Sequence, residues 1–309
     1  MSTTKTISAQ LRGVITQKNN GAFTVSTPTG SRNCPLTARL HRETGGELAV
    51  GDEVSVDAAG QIDALLPRRN WISRRSAAPM PGAHTHEQLI AANLDQVVPV
   101  FAAANPRPAW HLLDRYLVSA ESAEIPALVV ITKFDLAAGR PEADEIEQVA
   151  AEYRALGYPV LLTSTLDGSG LEAFRAALRG VRSLLVGKSG VGKTSLLNAL
   201  EPGLGLRVQA TNAVTGKGRH TTTAATLLPL TAGGAVIDTP GIREFGLWDV
   251  DGADLAWFFP EMRPHLDRCR FGLDCRHAEE PGCAVRKAVT AGLISPYRYQ
   301  SYLKLRYDP

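Results

Sequence analysis

The chain has 309 residues, of which 44% are hydrophobic and 21% are charged, and its net charge at pH 7 is +2. This composition is typical of a globular protein with two or three domains, and no apolar run is long enough to span a bilayer. Residues 1–12 lack the apolar core of a signal peptide, so we expect a cytoplasmic protein that is not attached to a membrane.

The charge is spread unevenly along the chain. Residues 1–85 have a net charge of +4, residues 86–262 of −6, and residues 263–309 of +4. Two basic ends suit a polyanionic partner such as RNA, but a merely solvated surface accounts equally well for charges of this size.

Short β-rich segments separated by turn residues fill the N-terminal part after a frayed terminus at residues 1–10. This pattern predicts a small β-barrel of the OB-fold type over residues 1–70. Such barrels often bind nucleic acid, although a fold alone does not assign a function. We expect Cys34, which lies in this segment, to be a structural thiol.

A linker is predicted over residues 71–85. Two arginine pairs surround Trp71 at its beginning: Arg68, Arg69, Arg74 and Arg75. Arginines interleaved with an aromatic ring can contact RNA. A solvated hinge is an equally good explanation of the same residues.

Strands and helices alternate from residue 86 onward. This alternation predicts a doubly wound, mostly parallel α/β sheet over residues 86–249, with ligand-binding loops at the carboxyl ends of its strands. We predict strands at 97–103, 127–131, 159–162, 181–186, 226–230 and 235–237, and helices at 109–123, 141–156, 171–178 and 195–200.

A phosphate-binding loop follows the strand predicted at 181–186. The segment GKSGVGKT matches the pattern G-x-x-x-x-G-K-[ST] at every fixed position. Its glycines let backbone N–H groups surround phosphate oxygens, and the next helix adds its positive end. Lys193 supplies a charge to the β- and γ-phosphates, which makes it a catalytic candidate, and Thr194 offers a hydroxyl to Mg²⁺. The predicted nucleotide contacts are Gly187, Lys188, Ser189, Gly190, Val191, Gly192, Lys193, Thr194 and Ser195.

A guanine-recognition motif precedes this loop in the chain. Thr132-Lys133-Phe134-Asp135 matches [NT]-K-x-D, in which the aspartate accepts hydrogen bonds from N1–H and the 2-amino group of guanine. Ser164, after the next strand, is expected to support the base through backbone amides. Each signal is weak alone, because a surface lysine and aspartate produce the same tetrapeptide by chance.

Two segments after the phosphate loop match the switches of a nucleotide hydrolase. In Asp238-x-x-Gly241, the carboxylate is expected to hold Mg²⁺ through water and the Gly241 N–H to contact the γ-phosphate. The basic segment GKGRHTTT at residues 216–223 occupies the place of the first switch. Thr222 is the preferred second hydroxyl for Mg²⁺, with Thr221 and Thr223 as close competitors.

The residue that orients the attacking water is less clear from the sequence. Ile242 follows Gly241 where Ras-type enzymes have a glutamine, so slow intrinsic hydrolysis is expected. His220 in the first switch is the candidate that positions the water, and contact of the same histidine with RNA is an equal alternative.

A metal site is predicted in a C-terminal α-helical module over residues 250–309. Three thiols and one imidazole fall within a short segment, at Cys269, Cys275, His277 and Cys283. Clustered cysteines in a cytosolic chain indicate a metal rather than disulfides. Three thiolates and one imidazole complete a tetrahedral zinc site without an open position, so one structural Zn²⁺ per chain is expected.

The order of the motifs is that of a circularly permuted domain, because guanine recognition comes before the phosphate loop. Together GKSGVGKT, TKFD, DTPG, GRHTTT and the cysteine–histidine set resemble the ribosome small subunit-dependent GTPases, known as the RsgA or YjeQ family. The resemblance covers nearly the whole chain. It implies GTP hydrolysis stimulated by the small ribosomal subunit, contact with its rRNA, and a role in late subunit maturation, and we expect a monomer. Many members have Asn at the position of Thr132, and Ser is common at that of Thr194.

Two other functions deserve comparison. A P-loop kinase or ATPase would not need Asp135, whose carboxylate adenine leaves unpaired. An RNA-binding adaptor with a vestigial nucleotide switch would not need the intact Lys193, Thr194, Asp238 and Gly241.

Overall fold

The N-terminal strands form a small barrel. The computed structural model describes residues 11–19, 21–75, 87–206, 225–239, 250 and 252–307. Strand β1 pairs with β2 and β4, β2 with β3, and β4 with β5, and a parallel bridge from Leu36 to Ile62 brings the end of β3 onto β5. The predicted OB-fold is confirmed. Its elements are β1 Leu11–Asn19, β2 Ala22–Thr27, β3 Gly30–Cys34, α1 Ala38–Thr44, β4 Glu53–Val56 and β5 Ile62–Leu65.

The middle of the chain forms the predicted doubly wound sheet. Its strands are β8 Gln96–Ala102, β9 Val129–Thr132, β10 Val160–Leu162, β11 Arg182–Val186, β12 Thr226–Pro229 and β13 Ala235–Asp238. They lie in the order β10-β9-β8-β11-β13-β12. The first five are parallel, and β12 runs antiparallel to β13. The parallel strands therefore present their carboxyl ends at one edge of the sheet.

Helices cover both faces of this sheet. They are α2 Trp110–Ser122, α3 Pro141–Ala155, α4 Leu171–Leu178 and α5 Lys193–Leu200. Side chains of β8 alternate between the faces: Val97 and Phe101 pack with α2 and α3, whereas Val98 and Val100 pack with α4 and α5. Because both faces of β8 are covered, its residues are apolar without alternation, as in parallel sheets generally.

The expected linker at residues 71–85 needs a correction. Residues 71–75 form strand β6 (Trp71–Arg75), which pairs antiparallel with β7 (Glu87–Ala92). Ile72 is buried in the core of the α/β sheet, and this apolar contact outweighs the polar, arginine-rich composition that suggested a linker. Residues 76–86 lie outside the described part of the chain.

The arginines of this region make contacts within the chain. Arg68 forms an ion pair with the fully buried Asp52, at 2.7 Å between Nε and Oδ1, and a second nitrogen lies 2.8 Å from Oδ2. Arg69 pairs with Asp95 at 2.9 Å. Arg74 donates to Gln88 Oε1 at 2.9 Å. Two of the proposed RNA contacts, Arg68 and Arg69, are therefore engaged with carboxylates.

The C-terminal module consists of short helices. It contains 3-10 turns at Leu255–Phe258, Arg263–Arg268 and Gly272–Asp274, and helices α6 Ala284–Thr290 and α7 Pro296–Tyr307. Helix α6 ends at Thr290. Gly292 follows the end of α6 with φ of 74°, a left-handed conformation that glycine adopts at helix C-termini. Within the described ranges, no helix is long and apolar enough to cross a membrane.

A buried arginine joins this module to the α/β sheet. Arg298 of α7 is 1% exposed and pairs with both Asp114 of α2 and Glu261, the latter at 2.7 Å. Tyr153 of α3 donates to Asp114 at 2.5 Å, and the guanidinium lies 4.7 Å from the centre of the Phe259 ring. Each partner is buried, so the network holds the module on α2 and α3 in one orientation.

We expect Arg298→Met to lower the free energy of unfolding by about 3–5 kcal/mol, because it leaves two buried carboxylates without a cation. Denaturant unfolding of the purified protein measures this. Arg268→Met is the matched control, since the Arg268 side chain is 69% exposed and should contribute less than about 1 kcal/mol. Equal stability of the two variants would contradict the assigned role of Arg298.

Candidate functional site

The phosphate-binding loop connects β11 to α5 at the carboxyl edge of the sheet. Gly187 has φ of 153°, and a Cβ atom there would collide with the carbonyl oxygen of Val100 in β8. Gly192 has φ of 98° and immediately precedes α5, which begins at Lys193. The loop thus packs against β8, and the amino end of α5 with its free N–H groups closes the site.

Lys193 is buried and Asp238 is half-buried beside this loop. Lys193 Nζ donates to the carbonyl of Gly187 at 2.6 Å and to that of Lys188 at 3.2 Å. Burial lowers the pKa of Lys193, and the Asp238 carboxylate opposes this effect. Burial raises the pKa of Asp238, and Lys193 opposes it in turn. Each group therefore favours the charged form of the other.

One oxygen of Asp238 is available to a cation. Its Oδ1 is buried and has no hydrogen-bond partner among the described residues. A buried acceptor without a partner is costly, so this oxygen fits a hydrated Mg²⁺ ion. Thr194 lies half-buried in the first turn of α5, where its hydroxyl is the second expected ligand. The other predicted switch residues, His220, Thr222 and Gly241, lie outside the described part of the chain.

The guanine motif is attached directly to the phosphate loop. The buried Thr132 hydroxyl lies against the carbonyl of Val191 and 3.2 Å from that of Phe101. Lys133 adopts a left-handed conformation, with φ of 56°, and its Nζ donates to Gly190 at 2.7 Å. The Thr132 hydroxyl and the Lys133 ammonium group therefore both contact carbonyls of the phosphate loop.

The base-binding residues follow two neighbouring parallel strands. Asp135 is half-buried in a 3-10 turn at Phe134–Leu136, directly after β9. The backbone N–H of Phe134 donates to Thr163 at 3.1 Å, which joins this turn to the loop after β10. Asp135 thus lies at the carboxyl edge of the sheet, as its motif predicted.

Ser164 has a different part from the one expected. Its backbone N–H donates to Ser169 at 3.0 Å, so this amide is already occupied. Its side-chain oxygen accepts from the N–H groups of Leu166, at 3.1 Å, and Asp167, at 3.4 Å. Ser164 therefore shapes the loop beside the base position rather than offering its own amide to the base.

One contact of the guanine motif could not be predicted from the sequence. The carbonyl of Asn105, in the loop after β8, accepts from Lys133 Nζ. A backbone carbonyl leaves no residue-type signal, so no motif could have indicated it.

The predicted cysteine–histidine set converges in the C-terminal module. One ligand atom from each residue lies within 4.8 Å of all the others, and every residue is buried: Cys269, Cys275, His277 and Cys283. His277 Nδ1 lies 3.4 Å from Cys269 Sγ and 3.5 Å from Cys283 Sγ, and these two sulfurs are 3.9 Å apart. A tetrahedral zinc ion requires about 3.6 Å for such N···S pairs and about 3.8 Å for S···S pairs. The spacing fits zinc.

The surroundings of the four residues also favour a bound cation. Burial raises the pKa of the Cys275 thiol to about 12, so a cation is needed to keep it as thiolate. The backbone N–H of Ala284 donates to Cys269 Sγ at 3.3 Å. The Tyr299 hydroxyl of α7 donates to the carbonyl of His277 at 2.6 Å, which fixes the backbone of this ligand.

Comparison with known proteins identifies the family. The RsgA GTPase family model matches residues 65–248, more than half of the chain. This chain belongs to the RsgA GTPase family. It is 47% identical over 303 residues to "Small ribosomal subunit biogenesis GTPase RsgA" of Gemmatimonas aurantiaca, covering 95% of this chain and 96% of that one. It is 46% identical over 269 residues to the protein of the same name from Azotobacter vinelandii, covering 87% and 76% respectively.

Solved structures agree with this RsgA assignment. YjeQ from Thermotoga maritima superposes with a TM-score of 0.76 at 31% identity, covering 97% of this chain and 98% of that one. YloQ, described as a circularly permuted GTPase, superposes with a TM-score of 0.72 at 28% identity, covering 99% and 97%. The predicted circular permutation is confirmed, with the guanine motif after β9 preceding the phosphate loop after β11 along the chain.

Proposed function

We propose that this RsgA-family GTPase hydrolyses GTP to GDP and phosphate during biogenesis of the small ribosomal subunit, that it binds the subunit and its rRNA, and that the subunit stimulates hydrolysis. The names of the relatives give a GTPase activity and a part in biogenesis of the small ribosomal subunit. The observation that carries the proposal is the attachment of Thr132 and Lys133 to the carbonyls of Val191 and Gly190. The guanine motif and the phosphate loop are thereby joined directly to each other.

Each loop residue has a part in binding the nucleotide. Backbone N–H groups of residues 187–195 and the amino end of α5 surround the phosphates. Lys193 exchanges its bonds to the Gly187 and Lys188 carbonyls for the β- and γ-phosphate oxygens, where its charge stabilises the transition state. Asp135 accepts the two donors of guanine, with Phe134 and Ser164 shaping the adjoining turns.

Magnesium completes the site. Thr194, Asp238 and Thr222 are the residues that would hold it, and when bound it neutralises charge on the phosphate oxygens. The unpaired Oδ1 of Asp238 supports this assignment. We assign His220 to positioning of the attacking water, and the Gly241 N–H to sensing of the γ-phosphate.

The C-terminal cluster is proposed to hold one structural zinc ion per chain. Four protein ligands leave no position for a substrate, so the metal stabilises the fold and takes no part in hydrolysis. The measured sulfur and nitrogen separations support zinc over a disulfide or free thiols.

We divide the chain into a barrel at 1–70, a GTPase domain at 86–249 and a zinc module at 250–309. The barrel and the zinc module are proposed to hold rRNA from the two sides of the GTPase domain, since both flanks are basic. We further propose that the protein acts in the cytoplasm as a monomer.

GTP hydrolysis with and without purified small subunits tests the function directly. We expect the wild-type protein to release phosphate slowly alone and much faster with subunits. Lys193→Ala should lose at least about a hundredfold in both conditions, because the transition-state charge loses its partner. Equal rates with and without subunits would contradict stimulation, and full activity of Lys193→Ala would place the phosphates elsewhere.

Asp135→Asn should exchange guanine for xanthine specificity, because the new side-chain amide can donate to the 2-oxo group of xanthine. Competition between GTP and xanthosine triphosphate measures this preference. Asp144→Asn, an exposed aspartate on α3, is the control and should keep the preference for GTP. Unchanged preference in Asp135→Asn would remove this residue from the base pocket.

Metal analysis of protein purified without added zinc should find one equivalent per chain. Cys275→Ser should lose the zinc and unfold the C-terminal module, since the metal supplies much of the folding energy of such a site. Cys34→Ser, a buried thiol in the barrel, is the matched control and should keep the metal. A folded wild-type module with no bound zinc would refute the site.

A further inference from the structure

The barrel is joined to the GTPase sheet by strand pairing. Strand β1 pairs with β12, and the register places Gln17 opposite Thr226. Residues 11–14 of the same strand pair with β4 of the barrel, and a bulge interrupts β1 between Ile15 and Gln17. One edge of β1 therefore pairs with β4 before the bulge and with β12 after it, while the other edge stays paired with β2 of the barrel.

Thr226 lies between the barrel and the magnesium-binding carboxylate. On its other side it pairs with Asp238 of β13, and Asp238 pairs with Leu185 of β11. Gln17, Thr226 and Asp238 thus form one row across the sheet. Neighbouring strands lie about 4.7–4.9 Å apart, so a single strand separates the backbone of the barrel from that of Asp238.

Strand β12 is only partly buried. It is four residues long, and none of its side chains is fully buried, whereas Val236 and Ile237 of β13 are 0% exposed. Leu227 and Leu228 pack against the cores on the two faces of the sheet. Within the plane of the sheet, β12 pairs with β13 on one edge and with β1 on the other.

A second attachment holds the barrel at the opposite edge of the sheet. The Arg182 guanidinium, at the start of β11, donates to the carbonyls of Gly51 at 2.9 Å and Asn93 at 3.1 Å. Asn93 Nδ2 also donates to Gly51 at 3.0 Å. Arg182 lies at the amino end of the parallel strands and Thr226 at their carboxyl end. The barrel is thus attached at both ends of the sheet.

We propose that the barrel forms part of the framework of the nucleotide site, and that Thr226 is a positioning residue through which Gln17 sets the place of Asp238. This inference rests on the proposed function, which assigns Asp238 to magnesium. By thermodynamic reciprocity, a ligand bound to the barrel and the magnesium nucleotide then change each other's affinity by the same factor.

The test changes the barrel side of the pairing, which does not touch the nucleotide site. Gln17→Gly weakens the strand, and Gln17→Val keeps it, because valine favours β-structure and glycine does not. The readout is the Mg²⁺ concentration at which binding of fluorescently labelled GDP is half-maximal. We expect Gln17→Gly to raise this concentration by on the order of tenfold, the effect typical of losing a residue that orients a metal ligand. Gln17→Val should restore the wild-type value.

Lys18→Gly is the matched control. Lys18 is the next residue of β1 and pairs with Phe23 in β2, so the change weakens the same strand away from the attachment. We expect it to leave the Mg²⁺ dependence unchanged. A shift as large as that of Gln17→Gly would mean that general loosening of the barrel is the cause, and would overturn the proposal.

Amide hydrogen exchange of the full-length protein without nucleotide or metal gives a second readout. Gln17→Gly should speed exchange in β12 and β13 and leave β11 unchanged. If Gln17→Gly does not fold, Gln17→Cys with Thr226→Cys replaces it, since residues directly opposite in antiparallel strands lie about 4.5–5.5 Å apart and can form a disulfide. Oxidation should then slow exchange in β13.

The outcomes separate the two proposals. Wild-type Mg²⁺ dependence and exchange in Gln17→Gly, or a disulfide that leaves β13 exchange unchanged, would overturn the positioning role. A wild-type protein that binds no guanine nucleotide would refute the proposed function instead, and the exchange measurements would still decide whether the barrel holds β13.

Discussion

The structure depends on one buried strand. β11 lies between β8 and β13 at the centre of the sheet, with Leu184, Leu185 and Val186 fully buried. Parallel pairing on both sides forces the carboxyl ends of β8, β11 and β13 to the same edge. The phosphate loop, the guanine motif and Asp238 all follow strands of this sheet, so their convergence is a consequence of strand direction.

Burial shifts the pKa values of the two charged groups at the phosphate site. Lys193 and Asp238 are both largely shielded from water, and each opposes the effect of burial on the other. Without nucleotide, the ammonium group of Lys193 is satisfied by the backbone carbonyls of its own loop. The site is thus preorganised, because the ammonium group of Lys193 is already held where a phosphate group would take the place of the loop carbonyls.

Sequence reasoning succeeded where the chemistry is local and the pattern is tied to the backbone. The phosphate loop needs glycines at Gly187 and Gly192 for positive φ and close packing, so its sequence carries its structure. Parallel strands buried on both faces are recognisable in the sequence as apolar runs. The four residues of the proposed zinc site were recognisable because their residue types have few other uses at such spacing.

Contacts between distant parts of the chain could not be predicted in this way. The arginines of β6 made this segment look like a polar linker. Its strand structure depends on burial of Ile72 in the core of the α/β sheet, which the local sequence does not show. The partners Arg298 and Asp114 are 184 positions apart, and neither has a neighbouring motif. The pairing of β1 with β12 depends on which strand edges remain unpaired once the strands of the barrel and of the GTPase domain have formed. The sequence of a single segment does not contain this information.

The buried contact between Arg298 and Asp114 also has a meaning for biosynthesis. Chains fold from the N-terminal end as they emerge from the ribosome, so α2 is available long before α7. The cation that pairs with Asp114 is synthesised 184 positions later in the chain. The contact between α2 and the C-terminal module can therefore form only after α7 has left the ribosome. In a truncated product of interrupted translation, the Asp114 carboxylate on α2 would lack its cation. Quality-control proteases would then degrade the incompletely folded protein.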